Sequence, residues 1–397
     1  MQGGVGDCTH ELGKALVQLG HEVIVVTSQS AARSHPSIAS MPRTEEETPV
    51  SLQREPEVRP TVAGWNWASW AHVLDAIHAH SSDVLHIQYQ TAAYGMHPAV
   101  NVLPLRLRLY RNRPRTVVTF HDLRVPYLFP KAGAVRGWVN RLLARWSDAV
   151  IATNAEDLEQ LQRAQLPNLL RLIPIGSNID PQPPSRYDRT AWRSRLGVGE
   201  NDTLLCYFGF LNESKGGDTL FRSLAELVRR GQQVRLLMIG GQVGDSDPTN
   251  VAYLEHVQAL AGELAVQDRI VSTWYTSAQE VSANFMAADI CVLPYRDGVS
   301  YRRGSFMAAL AHGLAIVSTQ PTVPNAQVVD GRNILLVPRD HPSATADAVE
   351  RLISMPHLRA QLGHGARDLA ENFTWDRIAV QTIQLYEQLV TQTRSRI

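Results

Sequence analysis

Lysine is almost absent from this chain. Among 38 basic residues in 397, only Lys14, Lys131 and Lys215 are lysines, so a lysine inside a motif stands out against an arginine background. Cysteine is equally sparse. Cys8, Cys206 and Cys291 lie far apart, the last two in apolar runs. Neither a disulfide framework nor metal-ligand spacing follows, which points to a reducing compartment. Charge of neither sign is in excess: 38 basic and 38 acidic residues give a formal net charge of zero, which argues against a dedicated nucleic-acid binder. No apolar run is long enough to span a bilayer and no secretory leader is evident, so a cytoplasmic protein is expected. A hydrophobic content of 44% with 19% charged residues is an ordinary globular balance, and the length suits two or three domains.

The stretch 289–319, DICVLPYRDGVSYRRGSFMAALAHGLAIVST, organises what is there. Ile290–Pro294 is a short apolar run suited to a strand buried on both faces. Arg296–Gly304 is a polar loop with Gly298, Arg302, Arg303 and Gly304. Ser305 is placed to cap a short helix over Phe306–His312, and Gly313 to stop it before a second buried strand, Ala315–Thr319. Backbone N–H groups at a helix start favour an anion, and a guanidinium grips two phosphate oxygens at once. The other reading is a plain strand–helix–strand unit with solvated arginines; loop motifs alone do not separate the two.

The amino terminus starts with MQGGVG and no preceding strand. Asp7 is placed to cap the helix that follows, whose apolar face is Leu12, Ala15, Leu16 and Leu19. His21–Ser28 reads as a buried strand. Phosphate-binding glycines belong at the carboxyl end of a strand. The expectation is therefore a start placed too late; a sheet lacking its central strand would carry two unpaired edges. Ala31–Thr61 reads mostly as loop, with one strand near Val50–Leu52. Trp65–His80 reads as an amphipathic helix whose tryptophans serve the core. Asp83–Tyr89 and Thr116–Phe120 are strands. Gln90 to Gly95, with Tyr94, and His121–Asp122 follow their carboxyl ends, the edge at which such sheets bind ligands. Arg106, Arg108, Arg111 and Arg113, then Arg136, Arg141 and Arg145 with Trp138, form basic stretches. A solvated helix face is favoured for these, and peripheral contact with anionic lipid at the inner face of the membrane stays open. Ala149–Thr153 reads as the last strand of this half, and Pro181, Pro183 and Pro184 mark a boundary. The pattern restarts with the helix Asp188–Leu196. Next come the strand TLLCYF at 203–208, the loop 209–216 with Gly209 and Lys215, and a helix over Asp218–Arg230. A lysine in that position supplies a compact charge for a diphosphate.

The 289–319 stretch resembles the donor-sugar segment of family 4 glycosyltransferases, E-G-F-G-x-P-x-x-E-A-M-A-x-G-x-P-V-V-A-T. Ala311, Gly313, Val317 and Thr319 fall in register. The two family glutamates fall on Ser300 and Ala308, so the E-x7-E pair is missing. DVLHIQYQ, TFHD and the 209–216 loop also resemble family segments, with Phe210 where the family has arginine and Ala326 where it has glutamate. The resemblance implies an α/β protein of two Rossmann-like doubly wound domains facing across a cleft, the GT-B fold. It implies domains at 1–180 and 181–373, and a helix over 374–397 that crosses back to the first. It further implies sugar transfer from a nucleotide-diphosphate sugar to a glycan, lipid or small-molecule acceptor, with retention and without metal. In that scheme His121 and Lys215 are catalytic. Gly4, Gly6, Gly209, Lys215, Tyr275, Ser300, Arg302, Arg303, Gly304 and Ser305 bind the donor, and Gln90, Tyr94 and Asp122 lie on the acceptor side. A sugar-nucleotide-binding protein without turnover, and a sugar-nucleotide epimerase on the same fold, are the alternatives.

Overall fold

The computed structural model describes residues 4–30, 55–123, 133–166, 169–240 and 248–394. The chain divides into two compact units, Met1–Gly176 with Trp375–Ile397, and Ser177–Thr374. Each is α/β with parallel strands.

In the first unit, β1 (Ile24–Ser28) pairs with β2 (Glu57–Val62). A separate sheet runs β3 (Val84–Tyr89), β4 (Arg115–Phe120), β5 (Ala149–Ala152), β6 (Leu169–Leu172) in that order. Among the described residues β1 has no ladder partner besides β2, and β3 none besides β4. The helix Gly4–Gln18 buries Leu12, Ala15 and Leu16 against Val117 and Ile151, and against Ile378, Leu385 and Leu389 of the last helix, Trp375–Arg394.

Several local expectations are corrected here. The first helix starts at Gly4, so Gly4 and Gly6 belong to its first turn and Asp7 lies inside it rather than capping it. A carboxylate in a first turn still favours the helix dipole. Residues 50–52 lie outside the described residues, and β2 forms where loop was expected; Pro60 fits a strand paired on one side only. The helix near Trp65 spans only Ser69–His80. Trp65 precedes it and packs edge-on to Tyr94 at 4.8 Å, while Trp67 stands exposed. Ala149–Ala152 is not the last strand, because β6 follows it.

The second unit holds one six-stranded parallel sheet. Its strands are β7 (Thr203–Phe208), β8 (Val234–Ile239), β9 (Ile270–Ser272), β10 (Ile290–Leu293), β11 (Ala315–Thr319) and β12 (Leu335–Val337), ordered β12-β11-β10-β7-β8-β9. β10 and β11 are buried at every position; β10 is an unbroken apolar run, and β11 ends in Ser318 and Thr319, whose hydroxyls donate to the Leu293 and Tyr295 carbonyls. The helix Gly217–Arg229 lays Leu220, Phe221, Leu224 and Leu227 on the core, worth roughly 6–12 kcal/mol of apolar burial.

Both sheets use the same anchor. An aspartate just before a strand accepts the N–H of the second residue of the neighbouring strand: Thr116 to Asp148, and Leu204 to Asp289, each at 2.8 Å. Arginines pair with each carboxylate, Arg113 at 2.5 Å and Arg193 at 3.0 Å, so neither charge is buried without a counter-ion.

Gly216 shows how tightly the β7 loop is packed. Its φ is +72°, and an added Cβ would run into the carbonyl oxygen of Pro294. Gly216→Ala combines left-handed strain with a backbone clash and is expected to cost about 3 kcal/mol. Gly231→Ala, at φ +80° with open space around it, is expected to cost about 1 kcal/mol. Thermal melts of the two variants should separate by several degrees; equal midpoints would show that the Pro294 contact relaxes.

Candidate active site

Strand order brings the motifs of the second unit together. The chain runs β7, β8, β9 to one side of the sheet, then returns to β10 on the other side of β7 and continues outward. The loops after β7 and β10 therefore leave the sheet side by side, at the point where a doubly wound sheet opens a ligand crevice. Lys215 follows β7 in a short 3-10 turn, Glu213–Lys215. The segment from Tyr295 to Ser305 follows β10. Arg296 N–H donates to the Ser214 carbonyl at 3.0 Å, and Arg296 Nη1 lies 2.6 Å from Glu213 Oε1; these bonds tie the two loops.

At their meeting point the ammonium of Lys215 lies 3.4 Å from Ser305 Oγ and 5.4 Å from the centre of the Tyr295 ring. Ser305 Oγ and Tyr295 OH are hydrogen-bonded at 2.6 Å. The Arg303 guanidinium lies 5.0 Å from the same ring centre and 3.4 Å from Ser214 Oγ. Arg302 and Arg303 both bond Asp297, whose side chain is 11% exposed. Loss of water lowers the Lys215 pKa to about 7; Arg303 and Arg302 push the same way and Asp297 opposes them. Burial raises the Tyr295 hydroxyl above its ordinary range, so it stays a neutral hydrogen-bonding group.

Ser305 is not the helix cap. The helix runs Gly304–Ala311 with Arg303 at the N-cap, and no side chain caps it. The Ser305 hydroxyl is turned instead to Tyr295 and Lys215. Gly209 at φ +107° stands beside this turn; a Cβ on it would lie 4.0 Å from that of Ser305. Gly304 opens the helix, and Ser300 accepts from Arg303 N–H at 3.1 Å. Ala308 is fully buried in the helix. Tyr275 is 66% exposed with Trp274 beyond β9, two strands from β7 in the sheet. Phe210, where a family arginine would stand, is partly exposed and offers only its carbonyl, to Tyr207 OH at 3.2 Å.

In the first unit His121 sits just past β4, its N–H bonded to the Tyr89 carbonyl at 3.0 Å. Its Nε2 lies 2.8 Å from Gln88 Oε1. An amide oxygen only accepts, so Nε2 carries the proton and Nδ1 keeps its lone pair. Burial lowers the His121 pKa to about 4. Gln88 Nε2 approaches His86, whose ring nitrogens lie 2.6 Å from Tyr386 OH and 2.7 Å from Thr119 Oγ1. The His86 pKa falls to about 3 through burial, then through the His121 charge. Tyr94 OH donates to the Gln88 carbonyl at 3.1 Å, and Gln90 opens the 3-10 turn Thr91–Tyr94. Asp122 is partly buried beside His121. Gly4 and Gly6 are exposed on the first helix turn.

The sequence gives no hint of Gln88, Tyr295 or Asp297 as site members. The one available signal was local: Asp297 stands five and six residues before the two arginines it pairs with. Among the described residues no three His, Cys, Asp or Glu side chains gather as a metal site, and no helix is long and apolar enough to cross a membrane.

Two family profiles match the chain. The glycosyl transferase 4-like domain covers residues 3–176, and the glycosyl transferases group 1 domain covers residues 202–355. The D-inositol 3-phosphate glycosyltransferase of Xylanimonas cellulosilytica is 31% identical over 258 residues, 63% of this chain and 59% of that protein. The protein of the same name from Streptomyces bingchenggensis is 28% identical over 61% of this chain and 53% of its own. The matched region thus spans a little over half the length of these relatives. Among solved structures, sucrose-phosphate synthase from Thermosynechococcus elongatus superposes with a TM-score of 0.71 at 22% identity, covering 98% of this chain and 94% of that one. Anabaena HepE, in complex with UDP and glucose, gives 0.71 at 17% identity over 98% and 97%. With both domain types present in order on parallel α/β units, the chain belongs to the family 4 glycosyltransferases of the GT-B fold.

Proposed function

We propose that this chain transfers a sugar from a nucleoside-diphosphate donor to an acceptor hydroxyl, with retention and without a metal ion. The observation that carries the reading is the meeting of Lys215 with Arg302 and Arg303, tied together through Asp297, Tyr295 and Ser305, in the loops after β7 and β10. Such a group stabilises a departing diphosphate by fixed positive charge and supplies what a bound cation would otherwise bring. The Gly304–Ala311 helix start adds backbone N–H groups. HepE, of the same fold, is solved with UDP-glucose, which supports a nucleotide sugar as the donor class. His121, neutral at ordinary pH with Nδ1 as acceptor, suits hydrogen bonding to the donor sugar or to the acceptor hydroxyl.

The acceptor side of the proposal includes a lipid-held alcohol at the inner membrane face. Leu105, Leu109 and Trp138 stand exposed among Arg108, Arg111 and Arg141, the composition that settles on anionic lipid. A binding protein without turnover is the second reading, favoured by Ser300 and buried Ala308 at the places of the family glutamates.

The test is nucleotide release from UDP-, GDP-, ADP- and TDP-sugars, with and without inositol 3-phosphate, the acceptor in the name of the 31%-identical relative. Release from one donor, raised by an acceptor, is the expected result. Nucleotide binding with no release from any donor would replace the transferase by the binding protein.

A further inference from the structure

Among the groups around Lys215, Asp297 is out of character. An anion-binding pocket is expected to exclude carboxylates, yet this one is nearly buried among three cations. The geometry explains why it is there. Asp297 Oδ2 accepts from Arg302 Nη2 at 2.8 Å and also from Arg303 Nη2, and the two arginine side chains are only 5% and 13% exposed. The backbone beneath the carboxylate is clamped. Thr322 Oγ1 donates to the Asp297 carbonyl at 2.8 Å, and Thr319 Oγ1 to the Tyr295 carbonyl at 2.5 Å. Val299 N–H bonds the Thr319 carbonyl at 3.1 Å. Gly298, at φ +84°, packs so closely on Gln320 and Pro321 that a Cβ has no room. The segment carrying Asp297 is thus fixed to β11, while the arginines it holds stand at the mouth of the next helix.

We propose that Asp297 is the positioning residue of this pocket. Its single carboxylate sets where the guanidinia of Arg302 and Arg303 stand and offsets the charge they present to Lys215. The proposal rests on reading the pocket as a diphosphate site. The charged groups that face Lys215 are Arg303, Asp297 and Arg302, with neutral Tyr295 and Ser305 in contact. Of these, only Asp297 favours the ammonium. Without it, three cations share one partly dehydrated space, and Lys215 sheds its proton to relieve them. The ligand then meets two loosened guanidinia and a neutral amine.

This makes a sign test possible. A carboxylate that merely borders an anion site repels the ligand, and removing it tightens binding. A carboxylate that positions the site weakens binding when removed. Inorganic pyrophosphate is the probe, titrated calorimetrically into the full chain at several pH values. The probe's own protonation is common to all variants, so differences report the protein. Asp297→Asn is expected to lower affinity about tenfold near neutral pH and to move the loss of affinity with rising pH toward lower pH. Asp297→Glu keeps the charge on a longer arm: the wild-type midpoint returns, with affinity still about threefold down. Unchanged or tighter binding by Asp297→Asn overturns the proposal. If that variant does not fold, full wild-type affinity in Asp297→Glu overturns it instead. Lys215→Ala separates the two levels. If that substitution weakens pyrophosphate binding while Asp297→Asn does not, the diphosphate site stands and the positioning role falls. If neither matters, both fall.

Discussion

Lys215→Ala should reduce kcat/KM for the donor sugar about 100- to 1,000-fold, roughly 3–4 kcal/mol of lost transition-state stabilisation. The leaving diphosphate gains charge as the sugar departs, and Lys215 is the compact cation at that place, held 3.4 Å from Ser305 Oγ. Its pKa of about 7 gives the effect a pH signature. The ammonium form binds the diphosphate, so wild-type nucleotide affinity should fall as pH rises through about 7 in the free protein. The bound anion favours protonation in turn, so binding above that pH takes up a proton from solution. The Ala variant should lose both the pH step and the proton uptake, read by calorimetry in two buffers of different ionisation enthalpy. A pH step that survives in Lys215→Ala would assign it to another group.

His121→Ala is the second large effect, expected to lower kcat about 100- to 1,000-fold while leaving the donor KM within a few-fold. The role proposed for the imidazole is hydrogen bonding at the sugar or the acceptor hydroxyl, so nucleotide affinity is not its main contribution. Its pKa of about 4 keeps it neutral through the working range. The sign follows directly: the active neutral form is lost only as pH falls toward about 4, and turnover should stay flat between roughly pH 5 and the Lys215 step near 7. A break near pH 6 would mean that His121 titrates as an exposed imidazole and is not held by Gln88. Loss of nucleotide affinity in parallel with kcat would make it a donor-binding residue only.

How much of this was legible in the sequence depends on distance along the chain. β10 was readable because it is an unbroken apolar run, and β11 because Ala315–Val317 begins it after the Gly313 stop. The Lys215 loop was readable because a single lysine among arginines cannot hide. The arginine loop was found, but its internal wiring was not. By residue type Ser305 reads as a cap before Phe306, whereas the helix starts two residues earlier, at Gly304, and the hydroxyl serves Tyr295 and Lys215. Asp297 read as one more loop residue because a carboxylate's partner is set by how the loop folds back. Gln88 was passed over because side chains along a strand alternate in direction and give no sign of which one meets a histidine 33 residues away. The tryptophans near residue 65 misled the helix boundary: two of them pack or stand exposed before the helix begins.

The first unit is closed by its last helix, and this fixes an order of assembly. Leu12 and Leu16 share a core with Ile378, Leu385 and Leu389, so the two sides of one cluster are made far apart in time, with the whole second unit between them. The second unit, Ser177–Thr374, is continuous in sequence and has all its parts once residue 374 has emerged. The first unit waits, with the apolar face of Gly4–Gln18 covered only on the side of Val117 and Ile151, until the helix Trp375–Arg394 follows the second unit out of the ribosome. Synthesis of this chain therefore leaves part of that helix face exposed until the second unit is complete, and it is a surface a holding chaperone would meet.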